Sequence, residues 1–370
     1  MISLAERLDG LTRPGELFES LEDGMLRCTA CAHRCKIGPG KRGICHVRFN
    51  EGGELRVPWG YVAALQVDPI EKKPFSHVFP GIQALTFGML GCDFHCGYCQ
   101  NWVTSQALRD PSIGLDARSV TELSPQELVR IARQSGAQAV VSSYNEPLIT
   151  SEWAVSVFKE AQAAGLLCAF VSNGNATPKA LAYLRPYLSA YKVDLKSMQD
   201  RQYRKLGGVL NHVLDTIQAA HDLGLWVEVV TLLVPGFNDS PEELWDAARF
   251  LASVSPDIPW HVTAFHPDYK MIDPPPTSAR GLQTAAEIGQ EAGLHYVYAG
   301  NLPGRVGSLE DTLCPHCQKV LIRRSGYVIR EYNLTSSGTC PQCGTAIPGV
   351  WSSHSEAVAL NGFGYPRPVY

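Results

Sequence analysis

Between residue 82 and about residue 300 the chain alternates short apolar runs with longer stretches whose apolar positions recur every three or four residues. The runs at 84–90, 138–143, 167–171, 191–195, 227–234, 261–265 and 295–298 are rich in Val, Ile, Leu and Ala, and they read as buried strands. Helix starts lie between them. Ser124-Pro125-Gln126-Glu127 and Ser240-Pro241-Glu242-Glu243 each put an N-cap serine before a proline at the first helical position, with glutamate three residues after the cap. Strand and helix alternating at this spacing predict right-handed βαβ units on a parallel sheet: an α/β fold built as an open or partial (β/α)6 barrel. Such barrels carry their chemistry at the carboxyl ends of the strands. Polar residues collect there: Ser142 to Glu146 after the second run, Ser172, Asn173 and Asn175 after the third, Asp194, Lys196 and Ser197 after the fourth, and Asn238 and Asp239 after the fifth. His261, Thr263 and His266 lie on or beyond the sixth, where an isolated histidine is more often a hydrogen-bonded core residue than a ligand.

Behind the first strand stands Gly91-Cys92-Asp93-Phe94-His95-Cys96-Gly97-Tyr98-Cys99, spaced C-x3-C-x2-C. Three thiolates on one loop suit three irons of a four-iron cluster and leave the fourth iron without a protein ligand. The alternatives are a zinc knuckle completed by His95, or reduced thiols packed in a core. Of the twelve cysteines, eleven fall into three tight groups, which in a reducing compartment points to metal rather than disulfides; Cys168, in an apolar run, reads as an ordinary buried thiol. The first group, Cys28-x2-Cys31-x3-Cys35-x9-Cys45, includes glycines that allow Cys45 to turn back on the others; it suits tetrahedral zinc, with a second iron–sulfur cluster as the rival. The last, Cys314-x2-Cys317 and Cys340-x2-Cys343, predicts a four-thiolate site of zinc-ribbon or rubredoxin-like type. Zinc is expected there, and a rubredoxin-like iron is the alternative.

Length and charge sharpen this outline. A chain of 370 residues at 45% hydrophobic content supports a large core and at least one small module. The expected division is an N-terminal Cys-rich module and connector over residues 1–80, the barrel over 81–305, and the terminal four-cysteine module with its tail over 306–370. A net charge of -4 argues against a nucleic-acid binder held by phosphate neutralisation. No run reaches membrane-spanning length, and Glu6, Asp9, Glu16 and Glu19 near the start exclude a signal or transit peptide, so a cytoplasmic protein is expected. The stretch from Asp68 to Gly81, which opens Asp68-Pro69-Ile70-Glu71-Lys72-Lys73-Pro74, reads as an ordered connector entering the barrel, able to reach a ligand there or to lie on the surface.

The C-x3-C-x2-C spacing, with Tyr98 just before its last cysteine, resembles the signature of the radical S-adenosylmethionine (SAM) enzymes. The resemblance implies that Cys92, Cys96 and Cys99 hold a [4Fe-4S] cluster, that its open iron chelates SAM, and that one electron cleaves SAM to methionine and a 5'-deoxyadenosyl radical. The rim segments resemble the pyruvate formate-lyase activating enzymes of that superfamily. By that likeness Asn145 and Glu146 hold SAM's methionyl amine, Ser172 and Asn173 contact its carboxylate and ribose, Asp194 and Lys196 line the SAM and substrate cavity, and Tyr98 belongs to the cofactor site. Asn145-Glu146 replaces the more usual Gly-Gly-Glu, which keeps the acid but changes the local backbone; the plainer role for Glu146 is a carboxylate at a helix N-terminus. The order of motifs over roughly residues 20–351 resembles the AmmeMemoRadiSam system radical SAM enzymes. That likeness implies Memo-like and AMME-candidate-region-like proteins as partners, an electron donor such as flavodoxin or ferredoxin, and an unidentified substrate that includes proteins among its candidates. A glycyl-radical enzyme activating enzyme is one rival, and a non-catalytic multi-zinc scaffold is the rival from another class.

Overall fold

A computed structural model describes residues 2–354 and 358–369. Among the described residues the main sheet has nine strands. Seven of them, Gln83–Gly88, Ala139–Ser142, Leu167–Ser172, Ala190–Asp194, Trp226–Leu233, Trp260–Ala264 and Val297–Gly300, run parallel in chain order. Every expected run is there, displaced by no more than two residues. Ala64–Pro69 and Arg367–Pro368 extend one edge antiparallel. Along the strands small residues alternate with large ones. Ala84, Ala139, Val141, Ala169 and Ala190 face the interior of the curved sheet, while Leu85, Val140, Phe170, Tyr191 and Val193 pack outward among the helices. This period of two lets one strand serve two cores.

Capping explains where the helices begin. Ser124 forms a reciprocal capping box with Glu127 at the start of Pro125–Gln134. Ser240 caps Pro241–Val254 through the amide of Glu243, but the Glu243 side chain turns to the neighbouring loop and accepts from Met198 N at 2.8 Å and Gln199 Nε2 at 2.6 Å. The same sequence pattern thus makes a cap at one site and a loop anchor at the other.

The connector forms the floor of the barrel. It turns through a short 3-10 helix, Ile70–Lys72, and sends Ile70, Phe75 and Val78 into the interior cluster. Glu228 inside the barrel accepts from Ser76 N at 2.8 Å and His77 N at 2.9 Å, and its other partners are Trp226 Nε1 and His261 Nε2. His261 is therefore a hydrogen-bonded core residue. The C-terminal module docks on the outside of this floor: Val78 and Val350 form a β-bridge, Arg324 donates to Ser76 O at 2.8 Å, and His77 joins Pro348 O to the Tyr298 hydroxyl. At the other end, N-terminal strands are tied to the helix Ser151–Ala163 by a bidentate, buried Arg48–Glu152 pair, both contacts at 2.7 Å. Among the described residues no helix is long and apolar enough to cross a membrane.

Candidate active site

The cysteine loop leaves the carboxyl end of Gln83–Gly88 through two glycines the geometry requires. A Cβ at Gly88 would lie 2.5 Å from Ser143 O, and Gly91 has φ +98 with the Cys45 carbonyl 3.0 Å from where its Cβ would be. The loop is then clamped along its length. Gly91 N donates to Thr104 O, His95 N to Leu206 O, and Lys270 N to Gly97 O, each at 2.9 Å. Cys92 Sγ accepts from Phe94 N at 3.4 Å, and Cys99 Sγ lies 3.1 Å from Ser105 Oγ. Burial pushes all three thiols up, Cys96 to about 12. Binding a metal would release their protons.

Glu146 is the centre of the polar network beside this loop. Its carboxylate accepts from Ser172 Oγ at 2.7 Å, from Asn173 N at 2.7 Å and from Leu148 N at 3.0 Å. Asn173 also donates through Nδ2 to Asp93 Oδ1 at 2.7 Å, and Asn175 Nδ2 donates to Asp93 Oδ2 at 2.8 Å. Four expected site residues, Cys92, Glu146, Ser172 and Asn173, thus converge from three strand ends. Asp93 and Asn175 complete the set; both stand in segments the sequence marks, but without a role of their own there. An aspartate directly after the first cysteine of the loop is the signal the sequence carries. Burial, then the charge of Asp93, raises Glu146 to about 8. Two buried carboxylates held by neutral donors are poised for a cation. Glu146 also serves as N-cap of the 3-10 helix Pro147–Thr150, so the plainer role is present as well.

The remaining candidates divide. Asn145 is used locally: its Oδ1 accepts from Met89 N at 3.0 Å and its Nδ2 donates to Glu146 O. Asp194 binds Lys192 and, at 3.1 Å, Lys196 Nζ. Burial works to raise Asp194, but the two lysines outweigh it and hold the carboxyl at about 2. Tyr98 is buried, edge-on to Phe237 at 5.6 Å. His266 stays at the exposed rim, 3.2 Å from Gln100 Nε2. Tyr144 takes φ +68, in the left-handed region that favours glycine, and is anchored by donating its hydroxyl to Asp68 Oδ2 at 2.5 Å. Lys73 reaches the same carboxylate at 2.7 Å and lies 4.1 Å over the Tyr144 ring. The connector therefore enters the barrel beneath the rim.

A family model, that of the radical SAM superfamily, matches residues 87–251. An uncharacterised protein of Methanocaldococcus jannaschii is 35% identical over 338 residues, covering 90% of this chain and 98% of that protein. The chain belongs to the radical SAM superfamily. A pyruvate formate-lyase-activating enzyme of Staphylococcus aureus is 23% identical over 197 residues, half of this chain and 76% of that one. Among solved structures, a domain of a pyruvate formate-lyase-activating enzyme from Bacteroides vulgatus aligns at 21% identity over 45% of this chain and all of its own, with a TM-score of 0.40.

Membership makes the chain an enzyme and implies SAM and a [4Fe-4S] cluster, and the donor set of this radical SAM protein fits both: three thiols on one clamped loop, with a carboxylate pair beside them. The terminal cysteine groups differ from each other. Cys314 and Cys343 sulfurs lie 3.5 Å apart, and those of Cys317 and Cys340 lie 3.6 Å apart. A tetrahedral ion with 2.3 Å bonds to sulfur needs about 3.8 Å between ligands, so this group fits one metal ion. Among the described residues it is the group whose ligand atoms all lie within 4.8 Å of one another. Cys28, Cys31, Cys35 and Cys45 gather at the opposite, catalytic end of the barrel with wider spacing.

Proposed function

We propose that this radical SAM enzyme cleaves SAM reductively at a [4Fe-4S] cluster held by Cys92, Cys96 and Cys99, yielding a 5'-deoxyadenosyl radical that abstracts hydrogen from a substrate. The observation that carries the reading is the hydrogen-bonded chain from Cys92–Asp93 through Asn173 to Glu146, which sets a buried carboxylate pair beside the cysteine loop. Glu146 would accept the methionyl ammonium, a charge-assisted contact in a water-poor site. Ser172 and the Asn173 amide fix that carboxylate, while Asn145 pins the strand end from which it projects. Lys196, held by Asp194, and Tyr98 are the residues proposed to face SAM and substrate from the other side of the loop. The barrel walls and the connector floor keep water and oxygen away from the reacting centre.

Zinc is the ion proposed for Cys314, Cys317, Cys340 and Cys343, on their sulfur spacing. A cytoplasmic setting with a flavodoxin- or ferredoxin-type donor fits reductive chemistry, and Memo-like and AMME-candidate-region-like proteins are the proposed partners. The substrate class has a second reading. The Staphylococcus aureus relative is an activating enzyme for pyruvate formate-lyase, which favours a protein as the source of hydrogen. The deciding experiment is anaerobic reconstitution with iron and sulfide followed by dithionite and SAM. The expected product is 5'-deoxyadenosine, absent in Cys96→Ala; its retention in that variant would refute the assignment.

A further inference from the structure

The proposed function leaves the N-terminal cysteines without a role, and their geometry differs from that of a single-ion site. Cys28 and Cys35 face each other where Leu26–Cys28 pairs with Lys36–Ile37, and Cys28 N donates to Cys35 O at 2.9 Å. Cys45 returns on a tight hairpin, with Gly43 N donating to Arg48 O at 2.8 Å and His46 N to Gly43 O at 3.0 Å; a Cβ on Gly43 would sit 3.6 Å from Cys35 Sγ. Cys28, Cys31 and Cys45 are buried, Cys35 is half-buried, and all four thiols are free. Yet no three of these sulfurs come within 4.8 Å of one another, whereas those at the C-terminal site do.

One zinc ion draws its ligands to about 3.8 Å from each other. A cuboidal cluster instead gives each thiolate its own iron and holds the four apart. The surroundings agree with a larger guest. Thr29 Oγ1, next to Cys28 in the chain, is buried without a hydrogen-bond partner, and cluster sulfides accept hydrogen bonds from groups of this kind.

This group also adjoins the catalytic loop. Cys31 forms a β-bridge with Ala176, Ala32 N donates to Asn175 O at 2.8 Å, and His33 Nε2 lies 3.8 Å from Asp93 Oδ2. The Cys45 carbonyl borders Gly91, next to Cys92. Asp93, fixed by Asn173 and Asn175, stands between the two cysteine groups.

We infer that Cys28, Cys31, Cys35 and Cys45 bind a second iron–sulfur cluster of the four-thiolate [4Fe-4S] type, set against the Cys92–Asp93 end of the catalytic loop. It places a one-electron centre beside the first, with its half-buried Cys35 flanked by exposed Lys36 and Lys41. The cluster depends on the proposed function only for the identity of its neighbour.

The test uses the full chain, isolated and reconstituted without oxygen, as wild type, as the triple variant Cys92→Ala/Cys96→Ala/Cys99→Ala, and as Cys28→Ala/Cys31→Ala/Cys35→Ala. Iron, sulfide and zinc are counted per chain, and electron paramagnetic resonance spectra of the reduced proteins are recorded with and without SAM. Two four-iron clusters predict about eight irons in the wild type. The central triple variant should keep about four, with a signal that SAM does not shift. The N-terminal variant should also keep about four, with a signal that SAM does shift. A central triple variant carrying no iron and one additional zinc beyond the C-terminal site overturns the inference. If the N-terminal variant fails to fold, the central variant and the wild-type iron count still decide, because neither alters the N-terminal ligands. Failure of the radical SAM reading looks different: the central variant keeps its iron, but no form gives a SAM-shifted signal.

Discussion

At the scale of single residues, the fate of one proton governs the site. Burial and Asp93 raise Glu146 to about 8, so at pH 6 the ligand-free carboxyl is protonated and must ionise to receive an ammonium. SAM affinity is therefore expected to rise between pH 6 and pH 8, by up to roughly tenfold per unit. Glu146→Gln should lose that slope and weaken SAM binding by about 2 kcal/mol, roughly thirtyfold, as read by equilibrium dialysis on reconstituted protein. A pH-independent wild type would show that the carboxylate does not meet the amine. The same shift has a stability consequence of opposite sense. The folded state holds this proton more tightly than the unfolded chain does, so ligand-free protein loses stability as pH rises from the ordinary carboxylate range through about 8. Tyr144 poses a second single-residue question. Its left-handed backbone costs about 1 kcal/mol or more, and its hydroxyl anchor on Asp68 offsets that cost. Tyr144→Phe should lower the unfolding free energy by about 1–2 kcal/mol in urea titration; an unchanged midpoint would mean that ring packing alone holds the turn.

At the scale of elements, two identical-looking helix starts behave differently. Glu127 closes an exposed capping box, whereas Glu243 is buried and holds the Ser197–Gln199 loop just past Asp194 and Lys196. Glu127→Ala should cost about 0.5–1 kcal/mol. Glu243→Ala should cost about 2 kcal/mol or more, because it strands several donors. Equal losses in thermal unfolding would show that the loop does not depend on Glu243. This contrast marks what the sequence makes legible. Apolar runs and caps are local signals, so the seven parallel strands and the helix starts could be read directly. The edge strand Ala64–Pro69 could not, because it ends in the charged, proline-containing connector whose pairing with Gln83–Gly88 is a tertiary event. Likewise the cysteine loop and Glu146 were visible as motifs. The bonds from Asp93 to Asn173 and Asn175 join residues about eighty positions apart, which no spacing rule reports.

At the scale of the whole molecule, the two terminal modules occupy opposite ends of the barrel. The N-terminal cysteines touch the catalytic rim, while the C-terminal module seals the floor through Val78–Val350, Arg324 and His77. That floor shares the connector whose Lys73 and Asp68 meet Tyr144 under the rim. A module this small has little core of its own, since Leu321, Ile322, Ile329 and Leu334 cluster around two of its cysteines and the barrel's Tyr296 and Tyr298. An ion on its four cysteines would therefore add to the stability of its fold. Cys317→Ser should release the ion proposed for this site, lower the thermal midpoint and open residues 306–354 to protease. Iron at the catalytic end should persist, because its ligands share no element with the module. Metal counting together with limited proteolysis checks both halves of this expectation. Loss of catalytic iron along with the terminal ion would show that floor and rim unfold as one cooperative unit, and an intact module without its ion would show that the barrel contacts alone suffice to hold it.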